Sequence, residues 1–201
     1  MAHEVKPLKY KILPGFSEAQ IGDHHSVLYA GYVKKLNEIE EKMKTTDVSQ
    51  ANGTYSEYGE LRREEAFATN AIKLHEGYFE NMGGNGQPSG KLMELIKTDF
   101  GSFEQFEKYF KAAGIAARGW VVLCFNWDDH KLHIYSSDYH TQGIWNCTPI
   151  LVLDVYEHAY FIDYKTQRKT YIEAFWKVVD WDYLNKLVEK LELTKHKKDS
   201  L

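Results

Sequence analysis

Between residues 17 and 43 the apolar side chains Ile21, Leu28, Tyr32, Leu36, Ile39 and Met43 recur at steps built from three and four residues, the spacing of one helix face. Ser17-Glu18-Ala19-Gln20 stands at the head of this stripe with the form of a capping box, so a long amphipathic helix is predicted from there. Thr45 to Thr54 is rich in turn formers. A second helical period begins near Tyr55, runs through Leu61, Ala68, Ile72, His75, Phe79 and Met82, and stops at Gly83-Gly84. The first half therefore reads as a long helical hairpin.

The pattern changes after Asn85 to Gly90, a stretch of turn formers that marks a linker. Two shorter helical patterns follow at Lys91 to Phe100 and Ser102 to Ala113. Trp120 to Asn126 and Lys131 to Ser136 are β-rich runs flanking the turn Asp128-Asp129, and Pro149 to Asp154 is a third. A single closing helix is expected from Thr170 to about Leu193. The fold class is α+β: a helical hairpin domain over residues 1–89, then a domain over residues 90–201 combining helices with a small three-stranded antiparallel sheet.

Of the 201 residues, 43% are hydrophobic and 14% aromatic, enough for a well-buried core. The net charge of −4 gives no basic surface for nucleic acid. No apolar run approaches the roughly 20 residues that span a bilayer, and the N-terminus lacks the apolar stretch of a secretory signal, so a cytoplasmic protein without a membrane partner is expected. Cys124 reads as a small buried thiol in a strand, and with Cys147 as the second cysteine there is no disulfide framework. The charge-dense Lys195 to Asp199 reads as a frayed helix end.

Asp154 and His158 lie four residues apart, directly after the apolar run Pro149 to Leu153. A carboxylate and an imidazole at this spacing suit manganese, iron or zinc. His24 shares the inward stripe of the first helix, whereas His25 points about 100° away from it. His75 shares the stripe of the second helix, three after Ile72 and four before Phe79. One histidine on such a stripe is ordinarily a satisfied core residue; two facing each other in one core each need a ring-nitrogen partner, and a shared metal supplies both. Three neutral imidazoles and one carboxylate leave room for solvent on iron or manganese, while a closed structural zinc site would call for thiolates. His3, His130 and His196 read as solvated surface, and His133 as a solvent-facing strand residue. His140 is left open between loop surface and site.

These residues resemble the iron/manganese superoxide dismutase family over nearly the whole chain, from His24 through the final helix. Asp154-Val155-Tyr156-Glu157-His158-Ala159-Tyr160 is close to the family's D-x-W-E-H-A-Y signature, and Tyr171 to Trp181 follows it in family order. His24 to Val33 with Asn37, His75-x-x-Tyr78-Phe79, Phe100-Gly101-Ser102 and Gly119-Trp120 also fall in order. The resemblance implies disproportionation of superoxide at one iron or manganese ion held by His24, His75, Asp154 and His158, with solvent in a fifth position. It further implies a homodimer or homotetramer, a gateway role for Tyr32, an aromatic shell of Trp120 and Tyr156, and Arg168 near the entrance. Glu157 is expected to cross a dimer interface to a ligand histidine of the partner subunit, and Tyr160 to lie at the same interface.

Three departures stand out. Tyr156 replaces the signature tryptophan, and Leu28-Tyr29 replaces the second histidine pair of the first helix. The two usual positions of the outer-shell glutamine read Ala71 and His140, so His140 is assigned the glutamine's hydrogen bond to the coordinated solvent. Lys34-Lys35 and Arg168 are candidates for a positive entrance, against an ordinary solvated helix face for the lysines. Two other readings compete: an interaction module that has kept the fold, which has no need of ligands, and a zinc hydrolase, which needs a general base that no spare Asp or Glu supplies.

Overall fold

The computed structural model describes residues 2–198. The first long helix is continuous but not uniform: α1 (Glu18–Gly22) runs into a π-helical segment (Asp23–Tyr29), which runs into α2 (Ala30–Met43). Ser17 caps it, its Oγ accepting the Gln20 N–H at 3.0 Å. The reciprocal half of a capping box is missing, because the Gln20 side chain turns the other way, into the core. The wider π turn also rotates the register of the stripe. Leu28, expected inside, is 37% exposed, and its neighbour Tyr29 takes the inward place at 1%. His25, expected to point away, is buried as well and donates from Nε2 to the Lys6 carbonyl at 2.8 Å.

A short 3₁₀ turn (Val48–Gln50) leads to α3 (Glu57–Glu80), capped by Ser56 and packed against both α2 and the sheet. Gly77 permits that second contact: a Cβ there would stand 2.8 Å from Val152 Cγ2. The sheet has strands β1 (Trp120–Asn126), β2 (Lys131–Ser137) and β3 (Cys147–Asp154), all antiparallel in the order β2-β1-β3. β1 reads as unbroken apolar sequence because it is the middle strand, with α5 (Phe103–Ala116) packed against it. Its first residue, Trp120, pairs with Asp154, the last of β3. Preceding α5, α4 (Gly90–Phe100) packs on the C-terminal helices and ends at Gly101, whose φ of +83° suits a residue without a Cβ.

The C-terminal region departs from the expected single helix. After α6 (Phe161–Tyr164) come α7 (Arg168–Trp176), α8 (Trp181–Lys190) and α9 (Leu193–Lys198). The break between α7 and α8 is enforced by tertiary contacts: Val179 bridges Met82, Asp180 N–H donates to the Asn81 carbonyl at 2.8 Å, and Asp180 Oδ1 caps α8. The expected frayed end is also corrected up to Lys198. Lys197 is buried and its ammonium bonds Asp99, whose other oxygen accepts Leu132 N–H at 2.9 Å; Asp199 lies outside the described residues. His130 and His196, expected in solvent, are half-buried, His130 stacked on Phe125 and His196 edge-on to Trp127. Among the described residues no helix is long and apolar enough to cross a membrane.

Asn81, at the end of α3, joins the helical hairpin to the sheet. It is buried, its Oδ1 accepts Val152 N–H at 2.6 Å and its Nδ2 faces the Ile150 carbonyl at 3.4 Å. The register shift between β1 and β3 falls beside this contact. Replacing Asn81 with Leu leaves the Val152 N–H buried without an acceptor, a loss of about 1–3 kcal/mol. Equilibrium urea unfolding should show the lowered midpoint; an unchanged midpoint would mean that the strand finds another partner.

Candidate metal centre

Four polar side chains converge where the two halves of the chain meet. His24 comes from the π segment, His75 from α3, Asp154 from the end of β3, and His158 from the 3₁₀ turn Glu157–Ala159. Their donor atoms all lie within 4.8 Å of one another. The focus is Asp154 Oδ2, with His24 Nε2 at 3.1 Å, His158 Nε2 at 3.2 Å and His75 Nε2 at 3.8 Å. Donors bonded at about 2.1 Å to one ion stand about 3.0–3.6 Å apart for bond angles of about 90–120°. The His24 and His158 separations fall within that spacing, and the His75 separation lies slightly beyond it.

His158 Nε2 bonds Asp154 Oδ2 at 3.2 Å, and the hydrogen bonds leave the other two of these imidazole nitrogens free. His75 Nδ1–H donates to the Ala71 carbonyl at 2.7 Å, which fixes the tautomer and turns the Nε2 lone pair toward the other three donors. His75 Nε2 and both ring nitrogens of His24 are buried without a hydrogen-bond partner. His24 Nε2 comes within 3.1 Å of the carboxylate but lacks hydrogen-bond geometry. Buried polar atoms in that state are rare in packed proteins. A cation among them satisfies the set, and an all-nitrogen-and-oxygen donor set suits iron or manganese.

Electrostatics point the same way. Burial alone would raise the Asp154 carboxyl, but the His158 and His24 imidazoles beside it outweigh burial and hold it well below the usual carboxylate range. Burial lowers His24, and burial with the neighbouring His24 pushes His75 down to about 3. Burial also opposes protonation of half-buried His158, yet the Asp154 charge more than compensates and raises it. The centre therefore holds an ionised carboxylate facing neutral His24 and His75, as metal ligation requires.

Asp154 is positioned with some redundancy. Its Oδ1 accepts Tyr156 N–H at 2.9 Å and its carbonyl accepts the Tyr171 hydroxyl at 2.5 Å. Aromatic rings close the surroundings: Tyr78 and Phe79 lie against His24, Trp120 edge-on to His75, and Tyr156 stacks on His158 with centroids 5.3 Å apart. Tyr32 tilts over His75, and its hydroxyl lies 3.2 Å from His140 Nε2. Burial, with the Asp154 charge, keeps the Tyr32 hydroxyl protonated above the usual range. His140, left open by its sequence context, is buried in this shell with both ring nitrogens engaged, Nδ1 by Trp120 Nε1 at 2.9 Å.

Other expected residues lie farther out. Glu157 is exposed, with no side-chain partner among the described residues. Tyr160 is buried, stacked on Tyr171. Arg168 is directed onto Tyr160 Oη at 3.1 Å and the Ala117 carbonyl at 2.8 Å. Lys34 and Lys35 both reach Glu38, which favours the solvated-face reading of the pair. Two residues escaped the sequence reading. Phe67 packs on His140 with centroids 4.6 Å apart, and its place eight before His75 on one helix stripe was the available signal. Gln20, four before His24, donates from Nε2 to the His158 carbonyl at 2.6 Å and accepts Ile162 N–H at 3.1 Å.

A helical hairpin on a three-stranded sheet, sharing a cluster of three imidazoles and one carboxylate that could hold one metal ion, fits a non-thiolate metal protein. The sequence model described as "Iron/manganese superoxide dismutases, C-terminal domain" matches residues 88–187. The chain is 42% identical over 199 residues to "Superoxide dismutase [Fe]" of Aquifex aeolicus, covering 94% of this chain and 92% of that one. It is 41% identical over 199 residues to the protein of the same name from Aquifex pyrophilus, with the same coverage. It is 37% identical over 188 residues to "Superoxide dismutase [Mn] 2" of Haloferax volcanii, covering 90% and 93%. The chain belongs to the iron/manganese superoxide dismutase family.

Gln20 ties the helix that carries His24 to the His158 turn by a hydrogen bond to the His158 carbonyl. Gln20→Met keeps the volume and removes both hydrogen bonds, so metal affinity is expected to fall about 10-fold or more with little change in helix content. Competition with a chelator measures it. Unaltered retention would show that Asp154 alone suffices to place the turn.

Proposed function

We propose that His24, His75, Asp154 and His158 hold one iron or manganese ion, and that Tyr32 and His140 manage protons beside it while superoxide is converted to dioxygen and hydrogen peroxide. The observation that carries this reading is the convergence of three imidazole nitrogens on one buried carboxylate oxygen, two of them without hydrogen-bond partners. Held by His24, His75, Asp154 and His158, the ion would supply reversible one-electron chemistry between two superoxide ions. Two superoxide ions and two protons give one dioxygen and one hydrogen peroxide, so the chain's own contribution is the site, its dryness and the protons.

Trp120, Phe79 and Tyr78, all buried, cover the His75 and His24 rings with apolar surface. Tyr32 holds a proton at Oη between His140 and the ligands, and half-burial leaves it within reach of solvent. A protein of net charge −4 repels a small anion weakly, so access depends on local structure. Arg168 is committed to bracing Tyr160, through its hydroxyl and over its ring.

Self-association as a homodimer, or a tetramer built from it, is supported by Glu157, exposed and without a side-chain partner among the described residues, and by the exposed apolar Phe161 and Ile162 that follow it. A division into domains near residue 89 is supported by the family match beginning at residue 88 and by the loop between α3 and α4. Two free cysteines, one of them buried with its thiol pushed up to about 12, accord with a reducing cytoplasm.

His75→Ala or Asp154→Ala should each remove the metal and lower turnover by more than the roughly 10–100-fold that outer-shell changes cost. Metal analysis beside activity decides, and a variant keeping both would exclude that residue from the centre. Removing the metal from the unaltered protein should also lower its melting temperature, because ligand binding to the folded state stabilises it. Glu157→Ala should weaken the oligomer, seen by sedimentation velocity at decreasing concentration; an unchanged species would place the interface elsewhere.

A further inference from the structure

Residues 2–8 form neither helix nor strand, yet this segment is bonded to the helices beneath it at several points. The first residues of a domain are ordinarily poorly ordered unless something ties them down. His3 exchanges backbone bonds with the Asn37 side chain of α2, at 2.8 and 2.9 Å. Lys9 reaches the Glu80 carbonyl at 2.7 Å and stands over the Tyr183 ring of α8. Lys6, between them, uses every polar group it has. Its N–H donates to Tyr29 Oη at 3.0 Å, its carbonyl accepts from His25 Nε2 at 2.8 Å, and its ammonium lies 2.7 Å from Glu76 and 3.6 Å from Glu80.

These partners stand next to two of the converging histidines in the chain. His25 follows His24 on the π segment, and Glu76 follows His75 on α3. Tyr29, at the end of the π segment, closes the circuit by donating from Oη to Glu76 at 3.1 Å. Lys6 therefore spans, from the protein surface, the two helices that deliver His24 and His75. An exposed ion pair by itself contributes little. Here two backbone bonds fix where the Lys6 side chain starts, so its ammonium has less freedom to lose on pairing. Residues 6–9 also line a cavity of about 130 Å³ together with Phe79 and Tyr183, and where packing is incomplete the polar bonds bear more of the attachment.

We propose that Lys6 is a positioning residue, a clasp that holds the His24 and His75 helices at their ligand spacing from outside the centre and so slows escape of the bound ion. The effect on the ion rests on the metal reading of the site, and the clasp does not.

The test uses the full-length protein loaded with iron or manganese and follows loss of the ion to excess chelator. Lys6→Met removes the ammonium bonds, and Tyr29→Phe removes the hydroxyl between the Lys6 N–H and Glu76. Each should speed release about 10-fold. Lys6→Arg should stay near wild type, and so should Asn37→Ala, which frees His3 and leaves Lys6 in place. Wild-type release rates in both Lys6→Met and Tyr29→Phe overturn the proposal. An equal acceleration in Asn37→Ala also overturns it, because the segment would then be a general cover. Hydrogen exchange on the metal-free protein reads the clasp without the ion: the Lys6 amide should be protected in wild type and lose that protection in Tyr29→Phe. An unprotected Lys6 amide in wild type overturns the clasp, even if a variant fails to fold. A protected amide in a protein that takes up neither iron nor manganese would defeat the metal reading and leave the clasp standing.

Discussion

The Asp154 carboxylate carries its charge at a fully buried position, and the rest of the site is an answer to that placement. An isolated buried carboxylate is costly enough that it normally takes up a proton. Here three imidazole nitrogens stand within 3.1–3.8 Å of its Oδ2 and a backbone N–H holds its Oδ1. His24 and His75, held neutral by burial, cannot balance a negative charge, and both have buried nitrogens without a hydrogen-bond partner. A cation at their centre resolves the charge and the unpaired nitrogens together, which is why the fold and the metal chemistry cannot be separated.

Two of the donors belong to the helical half and two to the half that contains the sheet, so the centre also joins the chain. Each half uses a distinct local device to deliver its pair. A π turn in the first helix carries His24 inward while moving Leu28 out, and Gly77 lets α3 approach β3 closely enough to bring His75 to Asp154. The β1–β3 register places Trp120 opposite Asp154, and Gln20 ties the His158 turn back to the first helix.

Much of this was legible in the residue pattern, because hydrophobic periodicity and metal-ligand spacing are local properties. The helical hairpin, the three strands and the four converging residues all follow from spacings of two, three and four along the chain. What the pattern hid depends on contacts between distant segments. The closing helix breaks because Val179 and Asp180 bond to residues at the end of α3, nearly a hundred positions away, and the local mark is one capping aspartate, Asp180. The buried Lys197–Asp99 pair looked like a solvated tail for the same reason. Gln20 was misread because a capping glutamine and a glutamine spanning two segments look alike in sequence. The engagement of both His140 nitrogens required the positions of Trp120 and Tyr32, 20 and 108 residues away.

The central claim is that one iron or manganese ion sits among three imidazoles and the Asp154 carboxylate. X-ray absorption at the metal edge of the purified, active protein tests it most directly. The account requires iron or manganese near one equivalent per chain, with scattering from three imidazole nitrogens and light oxygen donors. A sulfur ligand, zinc as the metal that supports activity, or fewer than three imidazoles would contradict it.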